Sequence, residues 1–419
     1  MTIVWHNFSS PCNETPCNCI YYYMLKRIGI LLCVSAFALA ACSKDLNYES
    51  MDLAPRSSAS AHEGSQESGG GVAGKVTAGE WNDLDNWFFW GPLMNGEKEN
   101  QMQTEYTRMP DYWRFYTNRR VAVRVADANG TPQNDVVVEL TSDGKTIWKC
   151  RTDNLGRAEA WIGLFDSRAT SGDLAVSLNG VKQEGAPAVT TWKSAYVENN
   201  DYVFSAKAPE AVADILFIVD ATGSMSDEID FLKADLLDIL QKVRELKTGT
   251  EIRTASLFYR DVGDEYLTVH SPFTPDSSST IEFISGQSAD GGGDYPEAVH
   301  TALEQSLKEL DWKQSASTRI AFMLLDAPPH QDHQGVIQSL QKSISAYAER
   351  GIKLIPVASS GVDKATEFLL RFFAISTNGT YVFLTDTSGI GDSHLPATVG
   401  EFKEEYLNEL IVRLITKYI

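Results

Sequence analysis

The stretch DILFIVDATGSMSDEI, residues 214–229, sets an unbroken apolar run, Ile215 to Val219, against Asp220, and two spaced hydroxyls, Thr222 and Ser224, follow before an amphipathic segment begins. Successive apolar residues predict a strand buried on both faces, the kind that occurs in parallel sheets. The plainest account of its end is a tight turn at Gly223 and a helix capped by Ser224 or Ser226. The same oxygen-bearing residues at alternate positions also suit a hard divalent cation.

Working outward, further strand-like runs at Ile252–Tyr259, Ile320–Leu325, Lys353–Ala358 and Tyr381–Leu384 alternate with helical segments. In the first of these segments Ile229, Leu232, Leu236, Leu240 and Val243 recur at helical spacing. The pattern predicts an α/β domain over residues 210–419, a doubly wound and mostly parallel sheet with helices on both faces. Ligands of such sheets bind beyond the carboxyl ends of the strands, where Asp220 stands. Two other loops belong with it: DGGGDYPEA, from Asp290 to Ala298, and LLDAPPHQDHQ, from Leu324 to Gln334. Together they offer Asp220, Thr222, Ser224, Asp294 and Asp326, an oxygen-only set suited to Mg²⁺, Ca²⁺ or Mn²⁺ rather than zinc.

These residues carry a resemblance. Residues 212–419 resemble the von Willebrand factor type A domain, and the first loop is similar to the D-x-S-x-S of its metal-ion-dependent adhesion site, with Thr222 supplying the first hydroxyl. Asp326 matches the aspartate after that fold's fourth strand, whereas Asp294, in GGGD, falls where many members place a threonine. The second-loop ligand therefore stays open between Asp294 and another residue. With the Y-R-D of Tyr259 to Asp261, the G-G-G-D-x-P-E-A and the D-A-P-P-H, the chain looks most like a subgroup of extracellular and bacterial surface proteins. The resemblance implies a cation with a vacant position that a protein partner's acidic group fills, and no catalysis. Arg260 and Asp261 are expected to pair and brace the site. His330, Asp332 and His333 raise a zinc site or a general base, but read more simply as an exposed rim that touches the ligand.

The rest of the chain reads as an anchor, a tether and a spacer. In MLKRIGILLCVSAFALAACSKD, Lys26 and Arg27 precede an apolar stretch, Ile28 to Leu39, that is too short to span a bilayer. Leu39 to Cys42 resembles the lipobox of bacterial lipoproteins, which implies acylation at Cys42, a start at Met24 and membrane attachment through lipid. Residues 1–41 would then be a misassigned start plus signal peptide. CSKDLNYE looks like signals that send lipoproteins to the outer face of the outer membrane, so the expected location is the surface of a Gram-negative cell. Ser- and Gly-rich residues 42–76 form a flexible tether.

Residues 77–117 are rich in aromatics, Trp81, Trp87, Phe88, Phe89 and Trp90 among them, and are expected to pack on the β-domain that follows. Over residues 118–208, alternation at Val121, Val123 and Val125 and at Val136, Val138 and Leu140, separated by turns, predicts a β-sandwich. Its D-x-N-G-x-P pattern resembles the immunoglobulin-like regulatory domains found beside carboxypeptidases, which implies a spacer. If Cys42 carries lipid, Cys150 has no disulfide partner.

A formal net charge of −20 without a basic patch argues against nucleic acid. No Walker loop, G-x-S-x-G or H-E-x-x-H occurs, so nucleotide use and hydrolysis lack a signature. A haloacid-dehalogenase-type phosphatase needs a second acid where Thr222 stands. The chain is expected not to be an enzyme. A structural or adaptor subunit whose ion only stabilises the fold is the alternative, and a metal-dependent hydrolase ranks below it.

Overall fold

The computed structural model describes residues 76–96, 105–387 and 396–419. Cys42, the expected signal sequence and residues 42–75 of the expected tether lie outside the described residues. The strands are β1 (Thr77–Trp81), β2 (Arg120–Ala126), β3 (Val137–Ser142), β4 (Lys145–Arg151), β5 (Arg157–Trp161), β6 (Leu174–Leu178), β7 (Val181–Lys182), β8 (Asn199–Val203), β9 (Glu210–Asp220), β10 (Glu251–Tyr259), β11 (Thr268–Thr274), β12 (Ala316–Leu325), β13 (Ile352–Ala358), β14 (Tyr381–Leu384) and β15 (Glu404–Tyr406). The helices are α1 (Trp87–Asn95), α2 (Met109–Trp113), α3 (Ser226–Leu246), α4 (Ser277–Ser285), α5 (Val299–Lys308), α6 (Val336–Arg350), α7 (Lys364–Ser376) and α8 (Leu407–Tyr418).

The five runs read from the sequence become β9, β10, β12, β13 and β14, and they pair in parallel in the order β10-β9-β12-β13-β14. Ile218 of β9 sits between Leu257 of β10 and Met323 of β12. Burial on both faces explains their unbroken apolar character: Ile215, Phe217 and Val219 join one core, Leu216 and Ile218 the other. Helices α3 and α8 cover the first face and α5, α6 and α7 the second. The region is mixed α/β with a large, mostly parallel sheet.

That sheet is eight-stranded, and three antiparallel strands escaped the sequence reading. β11 is an edge strand that carries Pro272, as edge strands tolerate. β1 and β15 close the far side: β1 pairs with β14 and with β15. Residues 77–117 thus reach beyond the β-domain on which they are expected to pack. Thr77–Trp81 is a strand of the C-terminal sheet, and the segment after it bridges both parts of the chain. Trp90 stacks on Phe368 of α7 at 5.7 Å, and Trp113 donates to the Ala365 carbonyl at 2.9 Å. Trp87 faces Trp161 of β5 at 6.1 Å. The physical reason is the buried Asp83, which takes a bidentate hold from the buried Arg371 of α7, at 2.6 and 2.9 Å.

Between β1 and β9 the chain builds a three-stranded sheet, β5-β2-β8, and a four-stranded sheet, β4-β3-β6-β7. Arg120 and Glu159 form a buried pair at 2.7 Å across β2 and β5. Cys150 is a free, buried thiol. No helix among the described residues is long and apolar enough to cross a membrane.

Candidate metal centre

β9 delivers Asp220 to the carboxyl edge of the sheet with no exposed surface. Its Oδ1 accepts from the Thr222 backbone N–H at 3.0 Å and from the Thr222 hydroxyl at 2.7 Å. Its Oδ2 is buried and has no partner. Gly223 to Met225 then form a single 3₁₀ turn, and α3 starts at Ser226 with no side-chain cap. Neither Ser224 nor Ser226 caps the helix, contrary to the sequence reading. Ser224 instead lines a cavity with Asp326, which follows β12.

The second loop is strapped to the first. The Asp290 N–H donates to the Ala221 carbonyl at 3.0 Å and the Gly223 N–H to the Gly291 carbonyl at 3.2 Å. Gly292, at φ +74°, lets the strands of this cradle approach: a Cβ there would lie 3.0 Å from Glu297 Oε1 and 3.1 Å from Thr222 Cβ. The Glu297 N–H donates to the Pro328 carbonyl at 2.8 Å, which joins the second loop to the third. Ser224, Asp227, Asp294, Tyr295, Glu297 and Asp326 share an open cavity of about 460 Å³.

Buried carboxyl groups thus face one another without a counter-charge. Burial, and then the neighbouring Asp326, pushes Asp220 up to about 7. Burial pushes Glu297 up to about 9, helped by Asp220, Asp261 and Asp326. Burial raises Asp326 as well. A divalent cation removes both penalties, and the donors here are hydroxyls and carboxylates only. The orphaned Asp220 Oδ2 and the equally unpartnered Glu297 Oε2 are buried acceptors of the kind such an ion takes.

The predicted residues converge with differences. Asp220, Thr222 and Asp326 are buried, whereas Ser224 and Asp294 are exposed. Glu297, which sequence reasoning passed over, is buried in the second loop at the same cavity. The available signal was a glutamate directly before the apolar start of α5. Asp294 also lies within 4.8 Å, ligand atom to ligand atom, of Asp261 and His330.

Two expectations about the flank are overturned. Arg260 does not pair with Asp261. It donates to the carbonyls of Ala221 at 3.2 Å and Ser288 at 2.9 Å, pairs with Glu265 at 3.3 Å and lies over the Tyr266 ring at 4.4 Å. It braces the loops through their backbones, while Asp261 turns toward His330. His330 is buried rather than part of an exposed rim, and its Nε2 lies 2.9 Å from Asp261 Oδ1. Asp332 and His333 are exposed.

Residues 214–389 match the family model of the von Willebrand factor A domain. A protein of Acanthamoeba polyphaga mimivirus, described as an ariadne-like RING finger protein, is 35% identical over 121 residues, which is 29% of this chain and 12% of that protein. The alpha-protein kinase vwkA of Dictyostelium discoideum is 31% identical over 126 residues, 30% of this chain and 20% of the kinase. The chain thus spans a minor part of the length of both. Among solved structures, the conserved hypothetical protein BatB of Bacteroides thetaiotaomicron aligns with 49% of this chain and 98% of its own, at 13% identity and a TM-score of 0.34. The pilus adhesin SpaC of Lactobacillus rhamnosus GG aligns with 42% of this chain and 28% of its own, at 11% identity and a TM-score of 0.32.

Proposed function

We propose that the von Willebrand factor A-type domain holds one divalent cation, magnesium or else calcium or manganese, and uses it to engage an acidic group on a protein partner. Asp220, Thr222, Ser224 and Asp326 would hold the ion, with Glu297 or Asp294 added from the second loop. The observation that carries this reading is the orphaned Asp220 Oδ2, buried beside a second and a third carboxyl group. The hydroxyls of Thr222 and Ser224 bring no charge, so an ion there keeps affinity for an external carboxylate. The open cavity over Ser224 and Asp326 gives that carboxylate access.

In this reading the chain is a surface lipoprotein of the outer membrane, attached through Cys42, with residues 42–76 as tether and 118–208 as an immunoglobulin-like spacer. It has no catalytic role. The complete burial of Asp220 favours a second reading, in which the ion only stabilises the fold.

Titration calorimetry on chelator-treated protein tests the site. One saturable equivalent of Mg²⁺ or Mn²⁺, lost in Asp220→Ala, is expected; no heat from magnesium, calcium or manganese overturns the proposal. Crystals grown with Mn²⁺ and acetate separate the two readings. Acetate oxygen in the metal shell supports engagement of an acidic partner, and a shell closed by protein oxygens alone supports the stabilising role.

A further inference from the structure

Three of the chain's seven histidines, His300, His330 and His333, gather on one flank of the three-loop rim. The buried His330 is held through Nε2 by Asp261, at 2.9 Å, which leaves Nδ1 of the same ring to offer a lone pair. A carboxylate behind an imidazole is the arrangement that orients metal-binding histidines. The His333 ring lies parallel to that of His330, 3° off, with centroids 4.4 Å apart. A ring nitrogen binds a metal in the plane of its ring, so the exposed His333 must turn out of this stack to share an ion with the fixed His330.

The ligand atoms of His330, Asp332 and His333 lie within 4.8 Å of one another. Their loop is fixed: Pro328 and Pro329 precede it, the His333 N–H donates to the His330 carbonyl at 3.1 Å, and Glu297 clamps Pro328. Two imidazoles and a carboxylate are a donor set unlike the oxygen-lined cavity beside them, and they select a borderline-soft cation over magnesium. Asp332 and His333 are exposed, so an ion can enter.

We propose that His330, Asp332 and His333 form a second metal site, for zinc or a divalent transition ion of the same class, with Asp261 as the carboxylate that orients His330. Three protein ligands leave one tetrahedral position for water or a partner's side chain. The site does not depend on the magnesium reading.

The test is calorimetric titration of zinc sulfate into the full chain with Mg²⁺ saturating. His333→Gln, at an exposed position, should bind one equivalent of zinc fewer than the unaltered chain, whereas Asp220→Ala should keep it. Comparing variants isolates this site from Cys12, Cys17 and Cys19, which lie outside the described residues. Asp261→Asn should weaken the same equivalent by about tenfold or more. Cobalt in place of zinc should give a visible absorption band that His333→Gln lacks. Equal zinc stoichiometry in the unaltered chain and His333→Gln overturns the proposal, as does an equivalent lost in Asp220→Ala but kept in His333→Gln.

Discussion

Two aspartates stand on one strand, both fully buried, and their neighbours give them opposite work. Asp214 Oδ2 accepts the Lys313 N–H at 2.7 Å, and Arg253 lies 3.5 Å from Oδ1. Burial still outweighs these partners and pushes Asp214 up to about 6. Because its folded value exceeds the unfolded one, the folded state keeps a proton that the unfolded chain has already released between about pH 4 and 6. Stability attributable to Asp214 is thus full below about pH 4 and falls as pH rises through 6. Asp214→Asn should flatten that limb, by up to about 3 kcal/mol at neutral pH, in urea melts of both chains from pH 4 to 7.5. An unchanged pH profile would contradict it. Asp220 is held by its own turn, through Thr222, and in the proposed function its charge would serve an ion. Asp220→Asn should weaken Mg²⁺ binding by more than tenfold while the melting temperature in chelator stays at or above that of the unaltered protein, because an uncompensated buried charge is gone. A lower melting temperature in chelator would assign Asp220 to the fold. The residue pattern made the strand-end positions of Asp220 and Asp326 legible, because each closes an unbroken apolar run. Glu297 and the burial of His330 were not, since spacing carries no information on which loop folds over which.

At the scale of elements, strands buried on both faces announce themselves and strands at the margins do not. β9, β10, β12, β13 and β14 were legible as apolar runs, whereas the TAGEW of β1 has neither a run nor alternation. What makes β1 a strand is distant: it fills the space between β14 and β15, and Gly79 leaves room for the rings of Phe383 and Phe402. A Cβ at Gly79 would lie 2.6 Å from both rings. Gly79→Val should therefore cost about 1–3 kcal/mol, read from the urea midpoint, and a neutral outcome would mean that β1 is dispensable to the sheet. The same segment is tied to α7 by Asp83 and Arg371, neither of which is exposed to any extent that water could compensate. Arg371→Met alone should cost about 3–5 kcal/mol, since it strands the Asp83 charge, and adding Asp83→Leu should restore at least half of the loss. Additive losses would show that the pair is not a closed unit.

At the scale of the molecule, the parts that read as separate in the sequence share one structural fate. β1 lies ahead of the β-domain in the chain and inside the large sheet in space. Helix α6 packs on β4, Lys353 of β13 meets Asp153 at 3.3 Å, and Arg319 of β12 meets Asp135 at 3.1 Å. Lys353 is buried, and burial lowers its pKa, so Asp153 is the partner that keeps its charge tolerable. Opening the β-domain would leave Lys353 and Arg319 without these partners and would uncover Arg151 where it packs on Gly351. Each of those losses falls on the sheet, so the sheet and the β-domain should unfold together. Scanning calorimetry of the full chain should give one transition whose calorimetric and van't Hoff enthalpies agree. A chain begun at residue 209 lacks β1, exposes the edge of β14 and separates β15 from the sheet. It should melt well below the full chain and associate through the bare edge as concentration rises. Two resolved transitions in the full chain, or a shortened chain as stable as the whole, would mean that the candidate metal site rides on an autonomous domain rather than on a body that includes β1.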